Sequence, residues 1–250
     1  MHEKFNLFCW LWIGIGLVIF PVLLKVKQPY GRHATKGWGP VIRNRAGWFL
    51  MELPALLVFG YFVSFSDFKN QTVAAAVVLW AIHYIHRSII FPFRLKTKGK
   101  MMPLVIVFSA ILFNTINGFF NGYWLAYFVP DGTDKVILNA RLIIGGIVFL
   151  SGFLINQYHD WLLIQLRKDN TAGYRIPHGG FFKLISCPNY LGEIITWTGF
   201  LIVTSSLPAF AFLIWTLVNL VPRALDHHQW YQKHFPDYPS KRKALVPYLL

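Results

Sequence analysis

The sequence predicts an all-α, polytopic membrane protein: a seven-transmembrane-helix bundle with its N-terminus outside and its C-terminus cytoplasmic. Three observations lead there. The 250 residues are 55% hydrophobic and only 14% charged, whereas soluble domains carry roughly 25% charged residues. Seven apolar runs come near or exceed the roughly 20 residues a span requires. The basic residues, whose excess gives a formal net charge of +14, are gathered in short segments between alternate runs, as the positive-inside rule demands.

The first run, Phe5 to Leu24, is long enough to span and lacks a small-x-small cleavage site, so it reads as a retained helix. Lys25, Lys27, Arg32, Lys36, Arg43 and Arg45 follow it. The second span covers Gly47 to Phe65, and Asp67 to Gln71 forms a short turn on the opposite side. The third covers Thr72 to Phe91, followed by Arg94, Lys96, Lys98 and Lys100. The fourth covers Pro103 to Trp124, and the next loop holds Asp131, Asp134 and Lys135. The fifth covers Asn139 to Leu166, and Arg167, Lys168, Arg175 and Lys183 follow. The sixth and seventh, Pro188 to Thr204 and Pro208 to Leu225, are joined by a tight turn at Ser205 and Ser206, and the tail carries Lys241, Arg242 and Lys243. The basic segments all fall on one face, which is the cytoplasmic one. Charge disposed in this way is a topology signal and not a nucleic-acid footprint.

No linker or low-complexity segment divides the chain, so residues 1–250 read as one membrane-embedded domain. Cys9 and Cys187 fall near opposite membrane faces and do not pair, and their spacing fits no zinc site.

Polar groups inside apolar spans are costly and face a bundle interior or cavity. Asn156, Asp160 and Arg167 are spaced i, i+4, i+11 and share one helical stripe. Asn189 and Glu193 open the sixth span at i, i+4, with Thr196 and Trp197 continuing that face. Arg223, Asp226, His227, Trp230 and Tyr231 form another continuous face at i, i+3, i+4, i+7, i+8. Glu52 lies about a turn inside the second span, beside Trp48 and Phe49. It is either a carboxylate paired with a loop arginine or a carboxyl held in an apolar slot as a hydrogen-bond donor.

His83-Tyr84-Ile85-His86-Arg87 puts Tyr84 and Arg87 one turn apart. A di-iron reading needs about eight clustered ligands, and His2, His33, His178 and His234 are scattered, so no metal site is expected. Interfacial anchoring is the bland alternative for this run. Arg167, Lys168, Arg175 and Arg223 suit phosphate, while Tyr174 and Tyr231 suit a base or ribose. No GxGxxG follows a strand. The residues alone thus point to a cytoplasm-facing cavity for an anionic ligand, adjoining an apolar pocket lined by Glu52 and Tyr84, and leave the reaction open.

Four segments then carry a resemblance. They are Asp160-Trp161 through Gln165-Leu166-Arg167-Lys168, Tyr174-Arg175-Ile176-Pro177-x-Gly179-Gly180-x-Phe182, Asn189-Tyr190-Leu191-Gly192-Glu193-Ile194-Ile195-x-Trp197, and Asp237-Tyr238-Pro239 through Arg242-Lys243-Ala244-Leu245-x-Pro247. With Tyr30-Gly31-Arg32-His33, Trp48-Phe49-x-x-Glu52-Leu53-Pro54 and His83-Tyr84-x-His86-Arg87, they resemble the steroid 5α-reductases (3-oxo-5-alpha-steroid 4-dehydrogenases) in order and spacing over most of the chain.

The resemblance implies a seven-helix bundle that binds NADPH from the cytosolic side and a 3-oxo-Δ4-steroid within the bilayer. It implies that Glu52 and Tyr84 hold the steroid 3-keto oxygen. It implies NADPH contacts from Tyr30, Asn156, Asp160, Arg167, Tyr174, Asn189, Glu193, Arg223, His227 and Tyr231. Residues from about 139 to 250 would mainly bind cofactor, and residues 1–102 would contribute substrate contacts. The residue before the glutamate is commonly Gln in the family and is Met51 here, a departure that bears on the preferred steroid.

The implied reaction is hydride addition to C5, with Glu52 and Tyr84 donating to the 3-keto oxygen and stabilising the enolate. The competing readings are an isoprenylcysteine-type membrane methyltransferase using S-adenosylmethionine, and a non-enzymatic lipid-binding bundle. The expected setting is a bacterial inner membrane or the endoplasmic reticulum, with the protein acting as a monomer and binding no nucleic acid.

Overall fold

A computed structural model of the protein describes residues 1–26, 38–68, 70–97, 99–129, 140–167 and 174–250. Tyr30, Lys168, the acidic Asp131–Asp134 segment and the basic residues between Lys27 and Lys36 lie outside the described residues. The elements are α1 (His2–Lys25), β1 (Val41–Arg43), α2 (Asn44–Val63), α3 (Gln71–Ile85), α4 (Phe91–Arg94), β2 (Met101–Pro103), α5 (Leu104–Tyr127), α6 (Ala140–Gln165), α7 (Pro188–Thr204) and α8 (Leu207–His234). Among the described residues, six helices are long and apolar enough to cross a membrane, with Gln71–Arg94 counted as one. α7 is shorter, at 17 residues.

Two departures from the sequence reading stand out, a π-turn and a short ribbon. The third span is not one smooth α-helix: His86–Ile90 forms a π-helical turn between α3 and α4. The last helix runs past the end of its span near Leu225, through the polar face from Arg223 to Tyr231 that helical spacing predicts, as far as His234. The chain is also not purely α. Val41–Arg43 pairs antiparallel with Met101–Pro103, and this ribbon satisfies backbone groups where two basic segments leave the bundle.

Helix starts follow capping chemistry. The Asn70 side chain accepts from the Thr72 and Val73 backbone amides at 2.9 and 3.3 Å, and Ser206 caps α8 by accepting from the Ala209 amide. Pro188 opens α7, where a missing N–H costs nothing.

The central core is aromatic. Trp80 is fully buried and stacks on Phe59, with ring centroids 4.3 Å apart. Its indole N–H donates to the Ala55 carbonyl at 3.0 Å. Trp197, Phe200 and Phe212 close around it.

The tightest interface joins α6 and α7. Gly145 and Gly152 on α6 face Gly199 and Gly192 on α7, and a Cβ at any of the four would run into the opposite backbone. Small residues at such positions let two membrane helices touch directly.

The described basic segments meet at one end of the bundle. Lys100 Nζ donates to Tyr174 Oη at 2.9 Å, and Arg45 donates to the Leu95 carbonyl. The C-terminal tail docks there too. Ile185 bridges Lys243 in parallel, and Ser186 and Cys187 amides donate to the Lys243 and Ala244 carbonyls. Arg242, itself buried, donates to Pro177 O at 3.1 Å. Cys9 and Cys187 are not joined in a disulfide.

Candidate active site

Arg87 stands at the middle of the polar cluster. The π-helical turn that carries it is a departure from α geometry of the kind that often marks functional sites. Its guanidinium carbon sits 4.8 Å from the ring centroids of both Trp48 and Phe91, which fixes it by cation–π contact. Nε lies 3.6 Å from Glu52 Oε1, and Nη1 lies 3.5 Å from Asp160 Oδ2. Glu52 is therefore paired with an arginine of the third span, and not with one in a loop.

A second set of contacts ties α6 to α7. Asn189 Nδ2 donates to Asp160 Oδ1 at 2.9 Å. Asn156 Nδ2 donates to the Asn189 carbonyl at 2.9 Å and to Glu193 Oε2 at 3.0 Å. Trp197 Nε1 donates to Glu193 Oε1 at 2.9 Å, and His83 Nε2 lies 3.3 Å from that same oxygen. Four residues singled out by helical periodicity, Asn156, Asp160, Asn189 and Glu193, thus form one hydrogen-bonded network, and Arg87 joins it to Glu52.

A third set comes from α5. Asn114 Nδ2 donates to the Met51 carbonyl at 2.6 Å and lies 3.4 Å from Glu52 Oε2. Asn117 Nδ2 donates to Tyr84 Oη at 3.3 Å. Asn121 Nδ2 donates to both the backbone carbonyl and the Oδ1 of Asn117, at 3.0 Å each. Sequence reading overlooked this ladder. Its signal was present as three amides at i, i+3, i+7 in an otherwise apolar span.

These layers enclose one cavity. Glu52, Tyr84, His83, Arg87, Glu193 and Arg223 form its polar side, and Trp48, Met51, Phe113, Phe212 and Trp215 its apolar side. The remaining sequence candidates are disposed around it unequally. Arg167 is exposed at the end of α6. Tyr174 is held by Lys100 and packs edge-on against Trp230. His227 Nε2 is 3.2 Å from Tyr190 Oη. Tyr231 is buried and stacks on Tyr238, with centroids 5.2 Å apart.

The donor set suits a nicotinamide nucleotide. Glu193, held by Asn156, lines the cavity and offers a carboxylate able to accept from a carboxamide N–H. Arg223 offers a fork for phosphate. His83 Nδ1 is buried beside the cavity with no hydrogen-bond partner among the described residues, an unmet polar atom of the sort a ligand satisfies. Among the described residues no group of three or more His, Cys, Asp or Glu could hold a metal ion.

Fold and site together define an integral membrane protein with a buried polar pocket built between its helices. Residues 100–250 match the family described as 3-oxo-5-alpha-steroid 4-dehydrogenase. The chain is 39% identical over 238 residues to a steroid 5-alpha-reductase of Arabidopsis thaliana, covering 91% of this chain and 90% of that one. It is 35% identical to a steroid 5-alpha-reductase of Gossypium hirsutum over 257 residues, covering the whole of both chains. With 3-oxo-5-alpha-steroid 4-dehydrogenase 1 of Homo sapiens it shares 35% identity over 243 residues, covering 96% of this chain and 93% of the human one. The chain belongs to the 3-oxo-5-alpha-steroid 4-dehydrogenase family.

Proposed function

We propose that the protein reduces the Δ4 double bond of a 3-oxo-Δ4-steroid to give the 5α-reduced 3-oxosteroid, with NADPH as reductant. The observation that carries this reading is the meeting of Glu52 and Tyr84 in one cavity with Glu193 and Arg223. One pair suits a carbonyl oxygen, and the other belongs to a donor set that suits a nicotinamide nucleotide.

In this reading Tyr84 and Glu52 donate hydrogen bonds to the 3-keto oxygen, draw electron density from the enone and stabilise the enolate. Asn156, Asn189 and Glu193 orient the nicotinamide carboxamide, and Asp160 anchors Asn189. Arg223, His227, Arg167, Tyr174 and Tyr231 hold the remainder of the cofactor, together with Tyr30. NADPH supplies a hydride to C5 when bound, and a proton from solvent completes the product at C4. The aromatic wall of Trp48, Phe212 and Trp215 keeps bulk water from the carbonyl end.

The family's architecture of seven spans, with N-terminus outside and cofactor site toward the cytoplasm, agrees with the gathering of basic segments at one end. α7 then serves as the sixth span. Residues 1–250 act as one domain, with cofactor contacts mainly from about 139 to 250 and substrate contacts from 1–102. This reading takes the monomer as the functional unit.

The test is incubation of the purified protein with NADPH and a 3-oxo-Δ4-steroid, followed by product analysis. The expected product is the 5α-dihydro compound with stoichiometric NADPH oxidation. A 5β product, or no reduction alongside intact cofactor binding, overturns the proposal.

A further inference from the structure

The asparagine ladder of α5 touches the carbonyl pair from behind, and its hydrogen-bond directions can be worked out one residue at a time. Asn114, Asn117 and Asn121 are 5%, 3% and 2% exposed, out of reach of bulk solvent, and each amide points where a partner waits. The orientation of Asn121 is forced. Its side chain lies against the Asn117 backbone carbonyl, which only accepts, so Nδ2 and not Oδ1 must face it. The same Nδ2 reaches Asn117 Oδ1 at 3.0 Å. Asn117 must therefore present its oxygen to Asn121 and its Nδ2 to Tyr84, 3.3 Å away.

An amide nitrogen cannot accept, so at this contact Tyr84 Oη is the acceptor. A phenolic proton lies near the ring plane on one side of the oxygen or the other. With a donor occupying one side, the proton is left to the other. Tyr84 is itself a wall of the cavity that holds Glu52.

We infer that Asn117, locked in orientation by Asn121, is a positioning residue that turns the Tyr84 hydroxyl proton toward the substrate carbonyl. The inference rests on the proposed role of Tyr84 as carbonyl donor. The chain Asn121 to Asn117 to Tyr84 has one polarity throughout, and aligned hydrogen bonds strengthen one another in a low-dielectric interior. Asn114 does the corresponding work for the second member of the pair. Its bond to the Met51 carbonyl forces Nδ2 toward Glu52 Oε2, which holds that carboxyl at the cavity wall.

The test is a double-mutant cycle in kcat between Asn117→Leu and Tyr84→Phe, with steroid KM and NADPH affinity measured for each variant. Asn117→Leu is expected to lower kcat roughly three- to ten-fold, the scale of one neutral hydrogen bond, with NADPH affinity unchanged. Tyr84→Phe is expected to lower it further, and adding Asn117→Leu to Tyr84→Phe should cost nothing more. Asn121→Leu, which frees the Asn117 amide to turn over, should lower kcat by a smaller factor through the same pathway, and it serves if Asn117→Leu fails to fold. If either asparagine substitution costs as much in the Tyr84→Phe background as in the wild type, the role is structural and the inference is overturned. A wild-type rate in Tyr84→Phe alone overturns the carbonyl-donor reading itself, and the inference with it.

Discussion

The Asn156 side-chain amide donates to Glu193 Oε2 at 3.0 Å across the α6–α7 interface, and glycine makes that distance attainable. A Cβ on Gly192 would strike the backbone of Asn156, and one on Gly152 would strike the backbone of Thr196. The two helices therefore touch backbone to backbone on either side of the polar network. Replacing Gly152 by Ala should force them apart and cost about 1–3 kcal/mol of stability, the usual scale of overpacking. NADPH affinity should fall with it. Gly146→Ala, on the same helix with open space around it, should change neither. Thermal unfolding and cofactor titration of the two variants in micelles decide the matter.

The carbonyl pair should separate chemistry from cofactor binding. Losing one donor to a developing oxyanion typically costs about 10²–10³ in turnover, so Glu52→Leu and Tyr84→Phe should each approach that loss. Glu52→Gln keeps a donor and should retain measurable turnover. NADPH affinity should be nearly unchanged in all three. Steroid reduction by Glu52→Leu at the wild-type rate would show the carboxyl to be structural.

The two candidate phosphate arginines should not be equal. Arg223 lines the cavity, and its replacement by Ala should weaken NADPH binding by about 1.5–3 kcal/mol, roughly ten- to a hundred-fold. Arg167 is exposed at the end of α6, where salt screens charge. Arg167→Ala should therefore have a smaller effect that fades as ionic strength rises. Titration at low and high salt tests both statements, and equal, salt-independent losses would count against the assignment.

Arg87 should prove indispensable for stability. Removing one partner of a buried ion pair typically costs about 3–5 kcal/mol, and here the guanidinium pairs with the Asp160 carboxylate while also holding the Glu52 carboxyl, the hydrogen-bond donor of the proposed function. Arg87→Met, which keeps the stem but not the charge, should lower the melting temperature markedly. Asp160→Asn combined with Arg87→Met should recover part of the loss, because one stranded carboxylate is gone. A doubly substituted protein no more stable than Arg87→Met alone would argue against the shared pairing.

Much of this arrangement was legible beforehand, for reasons that also explain the rest. Span positions follow from apolar length, so α7 appears at Pro188–Thr204 as expected. Asn156, Asp160, Asn189 and Glu193 meet because i, i+4 spacing puts each pair on one face, and two faces that polar must turn inward together. Arg87 was visible on the face of Tyr84, but nothing local revealed that its partners would be Glu52 and Asp160. Those contacts depend on how three spans pack. The α5 ladder was readable in principle and passed over, because amides carry no charge and a search for ionisable groups slides past them. The docking of Lys243 beside Ile185 joins segments nearly sixty positions apart. Neither segment has a pattern that announces the other.

The π-helical turn at His86–Ile90 places a constraint on chain length besides the one Arg87 places on composition. A π-turn accommodates one residue more than the α-helix around it, and each α-helical residue advances the chain by about 100°. Deleting a single residue there would leave a smoother helix with better local hydrogen bonding. It would also swing everything on one side of the turn out of phase with the other, so that Tyr84 and the Phe91 ring that packs on Arg87 could not both keep their places. Ile89 and Ile90 are 42% and 45% exposed and should accept other apolar side chains freely. In a library of variants Ile89 and Ile90 should tolerate many apolar replacements while the stretch rejects shortening, the mark of a segment kept for its phase.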